Sequence, residues 1–144
     1  MNQSSWLKVG AGLSLFMAAG QFVLSVSPAA AAYFGAPSSL LEDRTRLFLI
    51  GNGATLIFAA FGLYALSGAG VCRPLPLLRT GLVGISSLYL LRGLFIVLAV
   101  LEIAGIRKAD IQVQGVVSHL VFLAAGVTYM VGTIVNWRVM RVRN

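Results

Sequence analysis

The chain has 144 residues, 58% of them hydrophobic and only 10% charged, with a mean hydropathy of +0.90 and a formal net charge of +7. So much apolar surface excludes an ordinary water-soluble domain and indicates a protein that lives in lipid. Charge-free runs cover Val9 to Leu41, Leu47 to Cys72 and Ile111 to Trp137, while Thr80 to Leu101 is broken by Arg92 alone.

Each run exceeds the roughly 20 residues that a helix needs to cross a hydrocarbon layer about 30 Å thick. Unpaired peptide groups are not left in lipid, and the runs lack the two-residue alternation of barrel strands, so helices are expected. The predicted fold class is all-α: an integral membrane, antiparallel four-helix bundle forming a single membrane domain over residues 1–144, with helices at about 6–27, 40–67, 77–104 and 111–140.

The first of these carries Gln21 and several glycines, as a packed helix would. Its surroundings also support a second reading. Lys8, the apolar stretch to Val26 and the small residues Ser27 to Ala32 imitate the three regions of a secretory signal peptide, and cleavage near Ala32 would leave three spans. Ser39 and Glu42 have capping-box spacing and predict a second helix starting near Leu40, with a stop at Ser67-Gly68-Ala69-Gly70. Pro74 and Pro76 then separate it from a third helix over about Leu77 to Ala104, with Gly105 as its stop. Asp110 is the predicted cap of the fourth, and the short links make these neighbours antiparallel hairpins.

Charge sets the expected orientation. Lys8, Arg73, Arg79, Arg138, Arg141 and Arg143 fall on one side with no acidic residue among them. On the other side Arg44, Arg46, Arg107 and Lys108 are balanced by Glu42, Asp43, Glu102 and Asp110. The excess of basic residues predicts a cytoplasmic location for the first side, and therefore for both termini. Trp6 and Trp137 lie at that same boundary, where aromatic anchors belong. Topology accounts for the basic excess, which is spread over three short segments without a folded basic module, so nucleic acid is not an expected partner. The lipid bilayer is, and its anionic head groups would be attracted to the basic side.

One cysteine, Cys72, excludes an intramolecular disulfide or a CxxC redox pair. One histidine, His119, excludes haem held by two histidines of one chain, and no cluster has the spacing of a zinc or iron site. No cofactor is expected. No enzyme is expected either, because His119 has no evident nucleophile or carboxylate partner in its own segment.

The informative residues are polar ones inside the spans. An arginine in lipid is costly, and Arg92 has no acidic residue within nine positions. Counting at 1.5 Å per residue puts Gln21, Asn52 and His119 about 10 Å below the outer boundary and Arg92 about 18 Å below it. Snorkelling could bring the guanidinium level with the others. Small or polar side chains recur at helical spacing: Gly10, Ser14, Ala18, Gln21 and Ser25; Asn52, Thr55, Ala59 and Gly62; Gly115, Ser118, Phe122, Gly126, Tyr129 and Thr133. Such stripes let membrane helices approach closely, so all four are expected to face one another, with Tyr89 contributing its hydroxyl one turn from Arg92. Gly51-Asn52-Gly53 lies within a helix and reads as a packing site, not a phosphate loop.

Three readings follow. In the first, Gln21, Asn52 and His119 are interhelical hydrogen-bond glue, and Arg92 is neutralised by carbonyls and Glu102. In the second, Arg92, Asn52, Gln21, His119, Tyr89 and Glu102 form an outward-opening site for an anionic small molecule or lipid head group, with the apolar lower bundle taking a tail. In the third, the chain is a structural or regulatory subunit of a homo-oligomer or larger membrane complex, with Arg92 paired to a partner's carboxylate. An exposed polar stripe distinguishes the third from the second.

The blocks Phe61-Gly-Leu-Tyr-Ala-Leu-Ser-Gly-Ala-Gly70, Leu75-Pro-Leu-Leu-Arg79 and Leu88-Tyr-Leu-Leu-Arg-Gly-Leu94 resemble those of small uncharacterised bacterial four-helix membrane proteins. The resemblance spans roughly a quarter of the chain. It implies a bacterial inner-membrane location and carries no activity.

Overall fold

The computed structural model describes residues 4–103 and 113–142, without the side chains at 98–100, 102–103, 113–114 and 141–142. The described residues form helices and turns, with no strand among them. In chain order the helices are α1 (Ser5–Val26), α2 (Pro28–Tyr33), α3 (Ser38–Leu41), α4 (Arg44–Gly68), α5 (Leu78–Ile103) and α6 (Val113–Val142). The four long ones, α1, α4, α5 and α6, are each long and apolar enough to cross a membrane. Their outward faces carry large apolar side chains, including Phe16, Leu56, Leu88 and Ile134, an arrangement suited to surrounding hydrocarbon rather than water.

The ends of the helices follow local chemistry. Pro28 disfavours helical backbone at Ser27, which adopts an extended conformation and ends α1. The Ser27 hydroxyl then accepts from the Ala30 N–H at 3.3 Å and caps α2, a short helix not expected from the sequence. The second long helix starts later than predicted. Ser39 and Glu42 form no capping box; α3 has no side-chain cap, and Asp43 is the cap of α4. Its carboxylate accepts from the N–H groups of Thr45 and Arg46 at 3.0 and 3.1 Å and pairs with the Arg46 side chain at 3.1 Å. One oxygen satisfying two unpaired donors makes Asp43 the better cap.

The expected stop at Gly70 is present. Gly70 has φ 78°, the left-handed conformation that glycine adopts without steric cost, and the Val71 N–H returns to the Leu66 carbonyl. Ser67 fastens the following link, donating to the Arg73 carbonyl at 2.9 Å and accepting from the Leu75 N–H at 3.0 Å. Gly105 and Asp110, the predicted stop and cap further on, lie outside the described residues.

The most extensive packing joins α1 to α4 and α5 to α6; α1 also packs on α6, and α4 more sparingly on α5. In each case residue numbers rise on one helix as they fall on the other. Gly51 meets Ser25 while Gly62 meets Leu15, and Gly93 meets Leu123 while Gly126 meets Leu90. A Cβ at Gly93 would lie 2.7 Å from the Leu123 backbone, so the α5–α6 spacing depends on glycine there. At the end bearing Lys8, Arg73, Arg79 and Trp137, here the basic end, Leu7, Gly68, Leu82 and Met140 converge from all four long helices.

Candidate functional site

On α5 the buried residues Leu78, Leu82, Ile85 and Tyr89 mark the inward face. Arg92 is the next residue in that register, yet its side chain is exposed. The expectation of an enclosed guanidinium is therefore corrected. Gly93, the adjacent residue, makes the backbone contact with α6, and about 100° of helical rotation leaves Arg92 at the flank of that contact. Its guanidinium carbon lies 5.6 Å from the Phe122 ring centre and 5.8 Å from that of Phe95. These cation–π contacts are worth about 0.5–2 kcal/mol each, and no carboxylate among the described side chains pairs with the guanidinium. Among the described residues the ion pair found is that of Arg46 with Asp43, at the start of α4. Glu102, the predicted neutraliser, has its side chain outside the described residues.

His119 joins this cluster. Its ring stacks on Phe95 at 6.2 Å, the imidazole is turned toward the Arg92 backbone carbonyl, and Nδ1 is buried without a hydrogen-bond partner. Arg92 and His119 are thus brought together on the α5–α6 pair, as expected.

Asn52 is elsewhere. It donates to the Ser25 hydroxyl at 3.2 Å and to the Phe48 carbonyl at 2.9 Å, binding α4 to α1 where Gly51 allows their close approach. Gln21 lines two spaces between helices and belongs to neither polar group. The predicted single polar layer is in fact two groups, one on each tightly packed pair, because depth along a helix says nothing of rotation about its axis.

Tyr89 also departs from expectation. It turns away from Arg92 into the core, where its hydroxyl lies 2.8 Å from Ser14 Oγ, which lies 2.7 Å from the Tyr129 hydroxyl. Tyr129 donates to the Phe61 carbonyl at 2.7 Å. That donation uses its proton, so Ser14 donates to Tyr129 and Tyr89 donates to Ser14. The resulting chain of three hydroxyls and a carbonyl ties α5, α1, α6 and α4 together. Ser14 and Tyr129 sit on stripes legible in the sequence, but Tyr89 and the mutual contact of the three do not follow from it.

The apolar lower bundle, expected to take a tail, is closely packed. Around the hydroxyl chain the aromatic rings of Phe58, Phe61, Tyr89, Phe122 and Tyr129 pack together and fill the interior. A cleft of about 470 Å³ opens between α1 and α6, toward the end opposite the basic one. Its lining includes Met17, Gln21, Phe34, Phe58, Ser118 and Phe122. Arg92 does not line it, although Phe122 is common to the cleft and the Arg92 cluster.

Among the described residues no three His, Cys, Asp or Glu side chains come close enough to hold a metal ion. No family model, curated protein or solved structure matches the chain.

Proposed function

We propose that the protein is a small, non-enzymatic subunit of a larger membrane assembly in the bacterial inner membrane, and that Arg92 receives a carboxylate from a partner's membrane helix. In this reading the long helices form an antiparallel bundle with both termini cytoplasmic. The observation that carries it is the exposure of Arg92 within a span, with two aromatic rings beside it and no ion pair among the described side chains. A guanidinium does not lose its proton, so lipid exposure calls for an anion, which this reading places on the partner.

A second reading is favoured by Phe122. Because this ring borders both the guanidinium and the α1–α6 cleft, an anionic amphiphile could place its head on Arg92 and its tail in the cleft. The two readings differ in what adheres to the purified protein. Native mass spectrometry of protein extracted from its own membranes is expected to show a polypeptide bound to wild type, retained in Arg92→Lys and lost in Arg92→Leu. A bound small amphiphile with the same dependence would replace the subunit reading by the second. No Arg92-dependent mass of either kind would remove both.

Orientation has its own test. Cys72 is exposed at the basic end, so a membrane-impermeant thiol reagent added outside intact cells should leave it unlabelled. The same reagent should label Ser39→Cys in a Cys72→Ser background. The reverse pattern would invert the topology.

A further inference from the structure

The lateral face of the α5–α6 pair carries a groove near the basic end, remote from the Arg92 cluster. It has a volume of about 290 Å³, and its lining includes Val83, Ser86, Leu90, Met130, Thr133 and Trp137. Three features of this groove point to the same kind of occupant.

The first is an orphaned hydroxyl. Thr133 is only 3% exposed, and its Oγ1 has no hydrogen-bond partner. Nearby hydroxyls behave differently: Ser86 donates to the Val83 carbonyl at 2.9 Å and Thr128 to the Ala125 carbonyl at 2.8 Å. A buried unpaired hydroxyl is costly, and a helical threonine has two accessible rotamers, so Thr133 can turn its donor toward an acceptor in the groove. The second is Arg79, which stands outside the lining and adjoins the groove through Trp137. Its guanidinium donates to the Trp137 carbonyl and lies over the Trp137 ring at 4.7 Å, which orients the fork, while Nε is left without a partner. The third is electrostatic. Arg138 adjoins Trp137, Arg73 and Lys8 lie at the same end, and no acidic residue belongs to that side of the sequence.

We infer that this groove is the seat of one anionic phospholipid from the leaflet at the basic end. Its phosphate lies on Arg79, an ester carbonyl accepts from Thr133, and an acyl chain runs beside Val83, Leu90 and Met130. Thr133 and Trp137 are one helical turn apart, about 6 Å along the axis, a spacing comparable to that between phosphate and ester in a glycerophospholipid. A partner helix fits less well, because its backbone carbonyls are already engaged within the helix, whereas lipid esters bring free acceptors. Basic pockets between membrane helices recur as sites for anionic head groups. Neither Arg92 nor the orientation proposed above is needed for this inference.

The test is lipid retention by full-length protein reconstituted with equal amounts of phosphatidylglycerol and phosphatidylcholine, then read by native mass spectrometry. Wild type should keep one phosphatidylglycerol in preference to phosphatidylcholine. Arg79→Gln should lower that retention about fivefold, the effect of one basic residue at a membrane surface. Thr133→Val, which preserves shape and so guards against misfolding of the arginine variant, should lower it about threefold. Arg92→Leu should retain the lipid as wild type does, which separates this site from the proposed function. Equal retention of the two lipids, wild-type retention by both groove variants, displacement of the lipid by inorganic phosphate alone, or a second copy of the chain in its place would each overturn the assignment.

Discussion

Gly93→Ala is expected to destabilise the protein by about 1–3 kcal/mol, the range for overpacking a filled interior. The added methyl would lie 2.7 Å from both the Leu123 Cα and its N, and 2.9 Å from its Cβ. Backbone atoms cannot swing aside as a flexible side chain can, so α5 and α6 must separate along their length. Separation also withdraws Leu90 from Gly126 and Phe95 from His119 on the same seam. The control is Gly84→Ala, where nothing lies within 4 Å of the added atom. There the substitution should be neutral or stabilising by about 0.5–1 kcal/mol, because alanine is the better helix former. Unfolding in mixed micelles of increasing dodecyl sulfate, followed by circular dichroism, compares the two. If both variants unfold at the wild-type midpoint, the close approach of α5 and α6 is wrong.

Ser14→Ala should cost about 1–2 kcal/mol, more than the average interhelical hydrogen bond of about 0.6 kcal/mol. The direction of the hydroxyl chain explains why. Tyr89 donates to Ser14, so removing the serine oxygen leaves a phenolic O–H buried without an acceptor. Tyr89→Phe should be milder, since Ser14 keeps Tyr129 as its acceptor and no donor is stranded. The Ser14→Ala, Tyr89→Phe double variant should then be more stable than Ser14→Ala alone, because the stranded donor is gone. Simple addition of the two single effects in the same micelle titration would contradict this direction.

Much of the fold could be read from residue order. The four candidate spans follow from run length alone, and of the stripe Gly10, Ser14, Ala18, Gln21 and Ser25 all but Gln21 are buried as helical spacing implies. Gly62, Gly126 and Tyr129, placed on the stripes of the second and fourth predicted helices, are buried as well. The start of α4 was displaced because two caps competed within a few residues, and the carboxylate of Asp43 reaches two donors where Ser39 reaches none. α2 was hidden because its alanines fit a cleavage region as well as a short helix.

The candidate site was less legible. Depth counting puts His119 level with Asn52 and Gln21, which other seams hold, and sets Arg92 deeper, to be brought level by snorkelling. Rotation is fixed by contacts such as Gly93 on Leu123, and these depend on the partner helix as much as on the helix itself. The hydroxyl chain is not legible in residue order for a related reason. Ser14, Tyr89 and Tyr129 lie far apart in the chain, and the packing of three helices brings their oxygens to one point.

The interior is unevenly filled. Leu7, Leu78, Leu82 and Met140 are fully enclosed near the basic end, while the cleft between α1 and α6 and the smaller space beside Gln21 and Gly51 lie toward the other. Close-packed protein resists compression, whereas a gap between helices does not. A change in lateral pressure or bilayer tension therefore meets a rigid knot where Leu7, Leu78, Leu82 and Met140 interlock, and is taken up where the helices leave gaps: the α1–α6 cleft, the space beside Gln21 and Gly51, and the lateral groove of α5 and α6.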